Sequence, residues 1–170
     1  MIIPAIDVQL INEHLTTHEG VLYKLRIYYY QTKNPNLKQI IQKQYMVMLD
    51  HVRVMLELLD PNRTKEVKLQ PIQFEIVPSS LAGSTSEQDK PIAIEGRATA
   101  QNMANMNFMS ALMMKNPNVK AIHKEMSLQQ GKLQEVYSSF ITRGFNQEPP
   151  MSSKEAQQTI INRHKYLLMD

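Results

Sequence analysis

Apolar side chains along residues 6–60 recur at alternating spacings of three and four, the pattern of a helix with one buried face. The pattern predicts a first helix from about Ile6 to Lys33 and a second helix that ends at Asp60-Pro61. The predicted buried positions of the first helix are Leu15, His18, Leu22, Leu25 and Tyr29. Those of the second helix are Ile41, Tyr45, Met48, Val52, Met55 and Leu59. Because only a short Asn-Pro turn separates the two helices, residues 6–60 are predicted to form an antiparallel helical hairpin.

The turn inside this hairpin occurs twice in the chain. Residues 34–38 read Asn-Pro-Asn-Leu-Lys, and residues 116–120 read Asn-Pro-Asn-Val-Lys. Asn is a good helix N-cap, and Pro suits the first helical position. The repeat therefore predicts a second hairpin over residues 96–145. Its helices run from about Gly96 to Lys115 and from Pro117 to about Thr142, with Gly144 in the left-handed position that ends the last helix.

Methionines are concentrated on one predicted face of the third helix. They fall at helical spacing, at Met103, Met106, Met109 (or Ser110 in its place) and Met113. Met is flexible and fills irregular gaps, so this face predicts an adaptable methionine core. The alternative is an apolar cavity that carries a small ligand, with the methionines as its wall.

The segment between the hairpins, residues 61–95, has a different character. Val67, Leu69, Ile72, Phe74 and Ile76 are spaced close to every second residue, and prolines and a Ser-rich stretch interrupt them. We therefore expect an extended crossover, which a bundle needs when its second and third helices run parallel. After the prolines at 149–150, Ser152 or Ser153 can cap a fifth helix within residues 151–170. The predicted fold is one all-α domain over residues 1–170: a ferritin-like four-helix bundle made of two αα-hairpins, a long crossover and a C-terminal helix.

Composition removes several classes of function. The chain has no cysteine, which excludes disulfides, thiolate metal sites and cysteine nucleophiles. We expect cytoplasmic synthesis without a signal peptide, because the start lacks a basic segment followed by an apolar one. No stretch approaches the roughly 18 apolar residues of a membrane span. The net charge of +3 comes from 19 basic and 16 acidic residues scattered along the chain, so we expect no nucleic-acid partner.

A metal site inside the bundle is the most specific chemical hypothesis. Carboxylate-bridged di-metal bundles take one Glu from each of two helices and a Glu-x-x-His pair from each of the other two. Glu19 and His51 lie at similar distances from the Asn34 turn and can face each other, but Met48 stands where the pair requires Glu. The corresponding positions of the second hairpin, Gln101, Gln130 and Leu133, supply no strong ligand.

A single divalent ion such as zinc, manganese or iron needs fewer ligands, and Glu19 and His51 with His18 are the candidates for it. The plainer interpretation is that these side chains hydrogen-bond in a partly buried position. We therefore expect no metal, no other cofactor and no catalytic residue. His14 and His18 share a helix face, but the residues between them supply no carboxylate, so they are interpreted as a surface or seam pair. The sequence also has no Gly-rich phosphate loop and no Gly-x-Ser-x-Gly elbow.

The last third of the chain has a recognisable order of features. The Asn-Pro-Asn-Val-Lys turn leads to a Gln-rich helix that reads Gln-Gln-Gly-Lys-Leu-Gln-Glu-Val-Tyr at 129–137. Phe-Ile-Thr-Arg-Gly-Phe follows at 140–145, with two prolines at 149–150. In these features the chain resembles the coat F family of spore coat proteins from spore-forming bacteria, which usually closes with a Lys-Gly-Trp-Tyr-Pro type segment. The resemblance implies a ferritin-like bundle in the spore coat or the developing spore, and it carries over no catalytic residues. The long segment 62–95 departs from that family's compact pattern.

Three functions follow as expectations. The first is a structural or interaction protein of the bacterial spore coat or forespore surface, not an enzyme, whose partners are other coat proteins or a second copy of itself. The second is a metal-binding or redox bundle with a residual site at Glu19 and His51. The third is the small-ligand carrier walled by methionines.

Overall fold

Helices account for most of the computed structural model, which describes residues 1–72 and 86–168. They are α1 (Ala5–Gln31), α2 (Pro35–Leu59), α3 (Asp89–Met113), α4 (Pro117–Phe145) and α5 (Lys154–His164), and a 3₁₀ turn (Lys165–Leu168) follows the last. The described residues contain no strand. The fold is therefore all-α, and α1 to α4 form a helical bundle, as predicted.

Both Asn-Pro turns start a helix in the way that the sequence predicts. The side-chain oxygen of Asn34 accepts the backbone N–H groups of Asn36 and Leu37 at 2.9 and 3.1 Å. Asn116 does the same for the backbone of the fourth helix, at 3.0 and 3.2 Å. In each case Pro occupies the first helical position, where its missing N–H costs nothing. Both hairpins thus use the same turn, an Asn N-cap followed by Pro.

Two fully buried aspartates join the hairpins to each other. Asp7, in the first turn of α1, accepts the backbone N–H groups of Lys115 and Asn116, both at 2.8 Å. Asp89, in the first turn of α3, accepts the N–H of Lys33 at 3.0 Å. Each hairpin therefore supplies a carboxylate that binds the turn of the other.

These contacts fix the directions of the helices. The start of α1 lies at the α3–α4 turn, and the start of α3 lies at the α1–α2 turn. Hence α1 and α3 are antiparallel, whereas α2 and α3 run parallel. The chain between α2 and α3 must consequently return along the bundle, which is the arrangement that a long crossover permits.

The bundle interior consists of two large apolar clusters. The first cluster comprises Ile3, Leu10, Ile11, Val54, Met55, Leu58, Val67, Leu69, Met114, Val119, Ile122 and Met126. The second comprises Val21, Leu25, Leu37, Ile40, Ile41, Met48, Ala93, Met103, Tyr137, Phe140 and Ile141. Along α1 and α2, buried histidines lie between the residues of one cluster and those of the other.

Two predicted helix boundaries are wrong. The third helix begins at Asp89 instead of Gly96, because the Asp89 carboxylate is held at the opposite turn and Pro91 is tolerated in a first helical turn. The fourth helix continues through Gly144 to Phe145. Asn146, with φ 50°, takes the left-handed position that was predicted for Gly144.

The predicted methionine core of α3 is also wrong in part. Met103 and Ser110 are buried, but Met106, Met109 and Met113 are 40 to 59% exposed. The buried face of α3 consists mostly of smaller residues: Ala93, Gly96, Thr99, Ala100, Met103, Asn107, Ser110 and Ala111. Small side chains on this face allow α4 to approach closely, and Met106, Met109 and Met113 lie outside it.

The described start of the crossover, residues 60–72, has neither helix nor strand and covers one end of the core. Val67 and Leu69 are buried there in the first apolar cluster. The other predicted extended positions, Phe74 and Ile76, lie outside the described residues. No helix within the described ranges is long and apolar enough to cross a membrane.

Candidate functional site

Four histidines lie inside the bundle, each no more than 1% exposed. They are His14 and His18 on α1, His51 on α2 and His123 on α4, and together we call them the histidine layer. Neighbouring ring centroids are 5.7 Å apart for His18 and His51, 6.3 Å for His14 and His18, and 5.1 Å for His14 and His123. Burying four imidazoles in one core costs stability unless their polar atoms are satisfied.

Hydrogen bonds determine which nitrogen of His18 carries a proton. Its Nδ1 lies 2.7 Å from the backbone carbonyl oxygen of His14. A carbonyl only accepts, so Nδ1 must donate. In the neutral ring Nε2 is then an unprotonated nitrogen with a lone pair.

The same reasoning gives the opposite form for His51. Its Nε2 lies 2.8 Å from Oε1 of Gln129, whose Nε2 donates to the backbone carbonyl of Gln70 at 3.1 Å. The Gln70 contact orients the amide, so Oε1 faces the imidazole and His51 Nε2 must donate. In the neutral ring the lone pair of His51 is therefore on Nδ1.

These two lone pairs point at each other. His18 Nε2 and His51 Nδ1 are 3.5 Å apart in the buried interior. With both rings neutral, two acceptors face each other and neither has a donor. The arrangement is one that a cation placed between the nitrogens would satisfy.

The other two histidines also present unsatisfied nitrogens. His123 Nδ1 donates to the Val119 carbonyl at 3.0 Å, which leaves Nε2 as a buried lone pair without a partner. His14 Nε2 lies 2.8 Å from the Ser110 hydroxyl, and its buried Nδ1 has no partner. Buried polar atoms are usually paired, so this concentration of unpaired nitrogens needs a physical reason.

Burial favours the neutral form of all four rings. Desolvation, followed by the proximity of His51, lowers the pKa of His18 to about 3. Desolvation lowers the pKa of His51 and of His123 to about 4, although hydrogen bonds to Gln129 and Val119 oppose the shift. Desolvation also lowers the pKa of His14, against the nearby charge of Glu13. At neutral pH the lone pairs are therefore present.

The structure separates the predicted metal candidates. His18 and His51 come together, but Glu19 is exposed and lines a surface depression with Tyr23 and Arg26. The expected facing of Glu19 and His51 is wrong, because one helical position turns Glu19 away from the core. His14 and His18 are buried between helices, so they form a seam pair and the surface alternative is wrong. Within residues 1–72 and 86–168, no three His, Asp or Glu side chains already stand in position to hold one metal ion.

Sequence reasoning missed two members of this site. His123 and Gln129 lie on α4, where the Glu-x-x-His spacing points only to Gln130 and Leu133. One signal was available: His123 follows the second Asn-Pro turn by two helical turns, on the same face as Val119 and Met126. All three are buried.

Open surface depressions lie elsewhere. Three that are lined by described residues have volumes of about 470, 290 and 520 Å³. Their walls belong to α1, α2 and residues 70–72, with no methionine of α3 among them. The cavity walled by the third helix, which the small-ligand hypothesis requires, is not among these depressions.

The C-terminal helix is a second feature with a bearing on function. Every residue from 146 to 168 is exposed. The apolar ones include Ile160 (62%), Ile161 (57%) and Leu167 (66%). Ser153 caps the helix by accepting the N–H of Ala156 at 3.1 Å. The helix is thus formed but does not bury its apolar residues in the bundle.

Comparison with known proteins gives no relative. No protein-family model, curated protein or solved structure matches the chain.

Proposed function

We propose that this chain is a structural and interaction protein of the bacterial spore coat, built on a non-catalytic, ferritin-like helical bundle. The observation that carries the proposal is α5, a capped helix with an apolar side that the bundle leaves exposed. Its proposed partners are other coat proteins at the coat or forespore surface.

The length of α5 supports a role in contact with a partner. It has 11 residues, and isolated helices shorter than about 12 to 15 residues are marginal in water. Burying the exposed part of Ile160 (62%) and Ile161 (57%) against another surface would supply about 1 to 2 kcal/mol for each side chain. A short amphipathic helix of this kind binds well in an apolar groove.

The order of features in the last third of the chain is the support for the spore coat itself. The Gln-rich α4, the Arg-Gly-Phe ending and the prolines that follow are the residues that resemble the coat F family. The duplicated hairpin is compatible with the same kind of bundle.

The test is the location of the protein in a spore-forming bacterium that expresses it. A fluorescent fusion should move to the forespore surface during sporulation, and the untagged protein should be extracted with the coat of purified spores. Even distribution in growing cells together with absence from purified spores would contradict the proposal.

The role of α5 is tested with Ile160→Glu and Ile161→Glu. Both changes should reduce incorporation into the coat while the bundle stays folded, since neither side chain is buried. Gln157→Glu and Gln158→Glu are matched controls, because they add the same charge at exposed polar positions of the same helix. Equal incorporation of all four variants would show that α5 is not the docking element.

A further inference from the structure

We propose that the histidine layer binds one divalent late first-row transition-metal ion between Nε2 of His18 and Nδ1 of His51, with His14 as the third imidazole ligand. The inference is independent of the spore coat proposal. No metal is expected from the sequence, and this site differs from the candidate set considered there because it uses no carboxylate and excludes Glu19.

The separation of the two nitrogens fits a shared metal ion. Zinc binds imidazole at 2.0–2.1 Å in tetrahedral geometry, which places two ligand nitrogens about 3.4 Å apart. The observed separation of His18 Nε2 and His51 Nδ1 is 3.5 Å. The separation therefore suits one shared ion, and each ring has to tilt so that both lone pairs meet at an ion beside the line that joins the two nitrogens.

A shared proton fits the same gap less well. An N–H donor normally approaches its acceptor to about 2.9–3.0 Å, and 3.5 Å lies well beyond that distance. Protonating either ring would also place an imidazolium in the apolar interior, which explains the lowered pKa of both histidines.

The second ring nitrogens are arranged as they are in metal-binding histidines. Such histidines almost always donate their other N–H to a carbonyl, carboxylate or water, which fixes the ring orientation. His18 donates to the His14 carbonyl, and His51 donates to the Gln129 amide. The hydrogen bonds that would orient both ligands are therefore present.

His14 is the nearest source of a third ligand. It lies one helical turn before His18, with 6.3 Å between the ring centroids. Its Nδ1 is buried and has no partner. A rotation of the His14 side chain towards the pair would complete a three-imidazole site, and His123 would remain beside it as the neighbouring ring.

The ligand type limits which ions can bind. Imidazole suits zinc, copper, nickel and iron, whereas magnesium, calcium and manganese prefer oxygen ligands. The fully buried carboxylates of the described residues, Asp7 and Asp89, are already bound to the interhelical turns. Zn²⁺, Cu²⁺ and Ni²⁺ are therefore the appropriate probes.

The first experiment is a titration of the metal-free protein with Zn²⁺, Cu²⁺ and Ni²⁺ in separate samples at neutral pH. Because the ligands are buried, each sample is also unfolded and refolded with the ion present, and bound metal is measured after gel filtration. One ion per chain for at least one of the metals, with a raised Tm, is the expected result. No bound metal after refolding with any of them would overturn the proposal.

Variants locate the ion. His18→Gln and His51→Gln should each abolish stoichiometric binding, and His14→Gln should weaken it. Gln129→Leu should weaken binding about 10- to 100-fold by removing the partner that orients His51. His164→Gln is the matched control, because it removes an exposed histidine of α5. Unchanged binding in both His18→Gln and His51→Gln, or its loss in His164→Gln, would show that the ion lies elsewhere.

A spectroscopic measurement on the wild type keeps the proposal testable if a variant fails to fold. Zn²⁺ should shift the ¹⁵N resonances of His18 Nε2 and His51 Nδ1 and leave their N–H partners in place. Shifts confined to His164 would contradict the proposed site.

Discussion

His18, His51 and His123 each use one ring nitrogen in a hydrogen bond in which that nitrogen must donate. This fixes the tautomer of each neutral ring and turns the remaining lone pair into the core. These three histidines are therefore difficult to protonate while the protein is folded. The same rings become ordinary histidines when the chain unfolds, with a pKa near 6.5.

Stability in the absence of metal should therefore fall as the pH is lowered. The folded-state pKa values of these three histidines are about 3, 4 and 4, so between 6.5 and those values the unfolded chain binds more protons and unfolding is favoured. Full stability is expected above pH 6.5. Below it, each histidine should cost up to about 1.4 kcal/mol per pH unit. Urea unfolding in a chelator at a series of pH values measures this slope.

A substitution at His18 tests the origin of that slope. His18→Gln should make stability less dependent on pH, because burial lowers the pKa of His18 in the folded protein. A slope that is equal in wild type and His18→Gln would show that His18 is not held neutral by burial.

Sequence reasoning identified His18 and His51 as neighbours but paired them with the wrong carboxylate. The helical period places Glu19 one position past His18, which is a rotation of about 100° around the helix. That rotation moves Glu19 from the core to the surface. A spacing argument along one hairpin could not find His123 or Gln129, because these residues reach the site through the packing of α4.

At the scale of the element, Gly96 on α3 shows how close α4 lies. A Cβ at this position would be 2.6 Å from the ring of the fully buried Tyr137. Gly96→Ala should therefore destabilise the protein by about 1–3 kcal/mol through overpacking, although Ala is the better helix former. Urea unfolding measures the difference.

Gly131 provides the matched control for this change. It lies inside α4, and a Cβ there would meet nothing within 4 Å. Gly131→Ala should stabilise the protein by about 0.5–1 kcal/mol. If both substitutions changed stability in the same direction, the close approach of α3 and α4 at Tyr137 would be wrong.

The C-terminal helix should be dispensable for the stability of the bundle. No residue of α5 is buried, so a chain truncated after Gln147 should keep the Tm of the full protein to within about 2 °C, the scale of a surface change. Differential scanning calorimetry checks this. A large fall in Tm would show that α5 packs on the bundle in solution.

Helix ends were predictable where a local signal marks them. The Asn-Pro turns and the Ser153 cap are set by residues next to one another in sequence, and all three are found where expected. The start of α3 was not predictable in this way, because Asp89 is held there by the turn of the other hairpin. The exposed methionines of α3 were misassigned because the buried face of this helix is the one that carries Gly96 and Ala100, whose small size allows α4 to approach.

At the scale of the whole molecule, the two hairpins are related by an internal repeat of 82 residues. Asp7 and Asp89 are separated by this interval, and so are the turns that they bind. Met48 and Gln130 are also equivalent, and they touch at 3.0 Å in the bundle interior. Residues related by the repeat therefore form contacts between the two hairpins as well as the turn inside each hairpin.

The histidine layer does not follow this repeat. The equivalents of His14, His18 and His51 are Gly96, Ala100 and Leu133, which are apolar or lack a side chain. Tyr137 occupies the space over Gly96 and donates to Gln44 at 2.8 Å. The first hairpin thus contributes three of the four histidines, and the second contributes His123, whose equivalent in the first hairpin is Ile41.

Removing the Asp7 carboxylate should lower the free energy of unfolding, because it binds the turn of the second hairpin. Asp7→Ala leaves two backbone N–H groups of the second turn without their carboxylate partner, and charged hydrogen bonds of this type are worth about 1.5–3 kcal/mol. We expect a loss of about 3 kcal/mol in urea unfolding. Glu19→Ala, an exposed acid of the same helix, should change stability by less than about 0.5 kcal/mol. Equal effects of the two substitutions would show that Asp7 does not hold the turn.

The two helical hairpins could be predicted because the sequence repeats the Asn-Pro turn at 34–38 and 116–120. Asp7 and Asp89 share the interval of the turns, but their contacts with the opposite turns could not be predicted from local signals. The histidine layer could not, since it depends on four side chains from three helices whose relative rotation is set only by packing.

The most direct test is a long-range ¹H–¹⁵N correlation spectrum of the imidazole rings in the metal-free protein at neutral pH. The structure predicts neutral rings, with the proton of His18 on Nδ1, that of His51 on Nε2 and that of His123 on Nδ1. An imidazolium at His18 or His51, or a proton on Nε2 of His18, would contradict the facing lone pairs on which the proposed metal site depends.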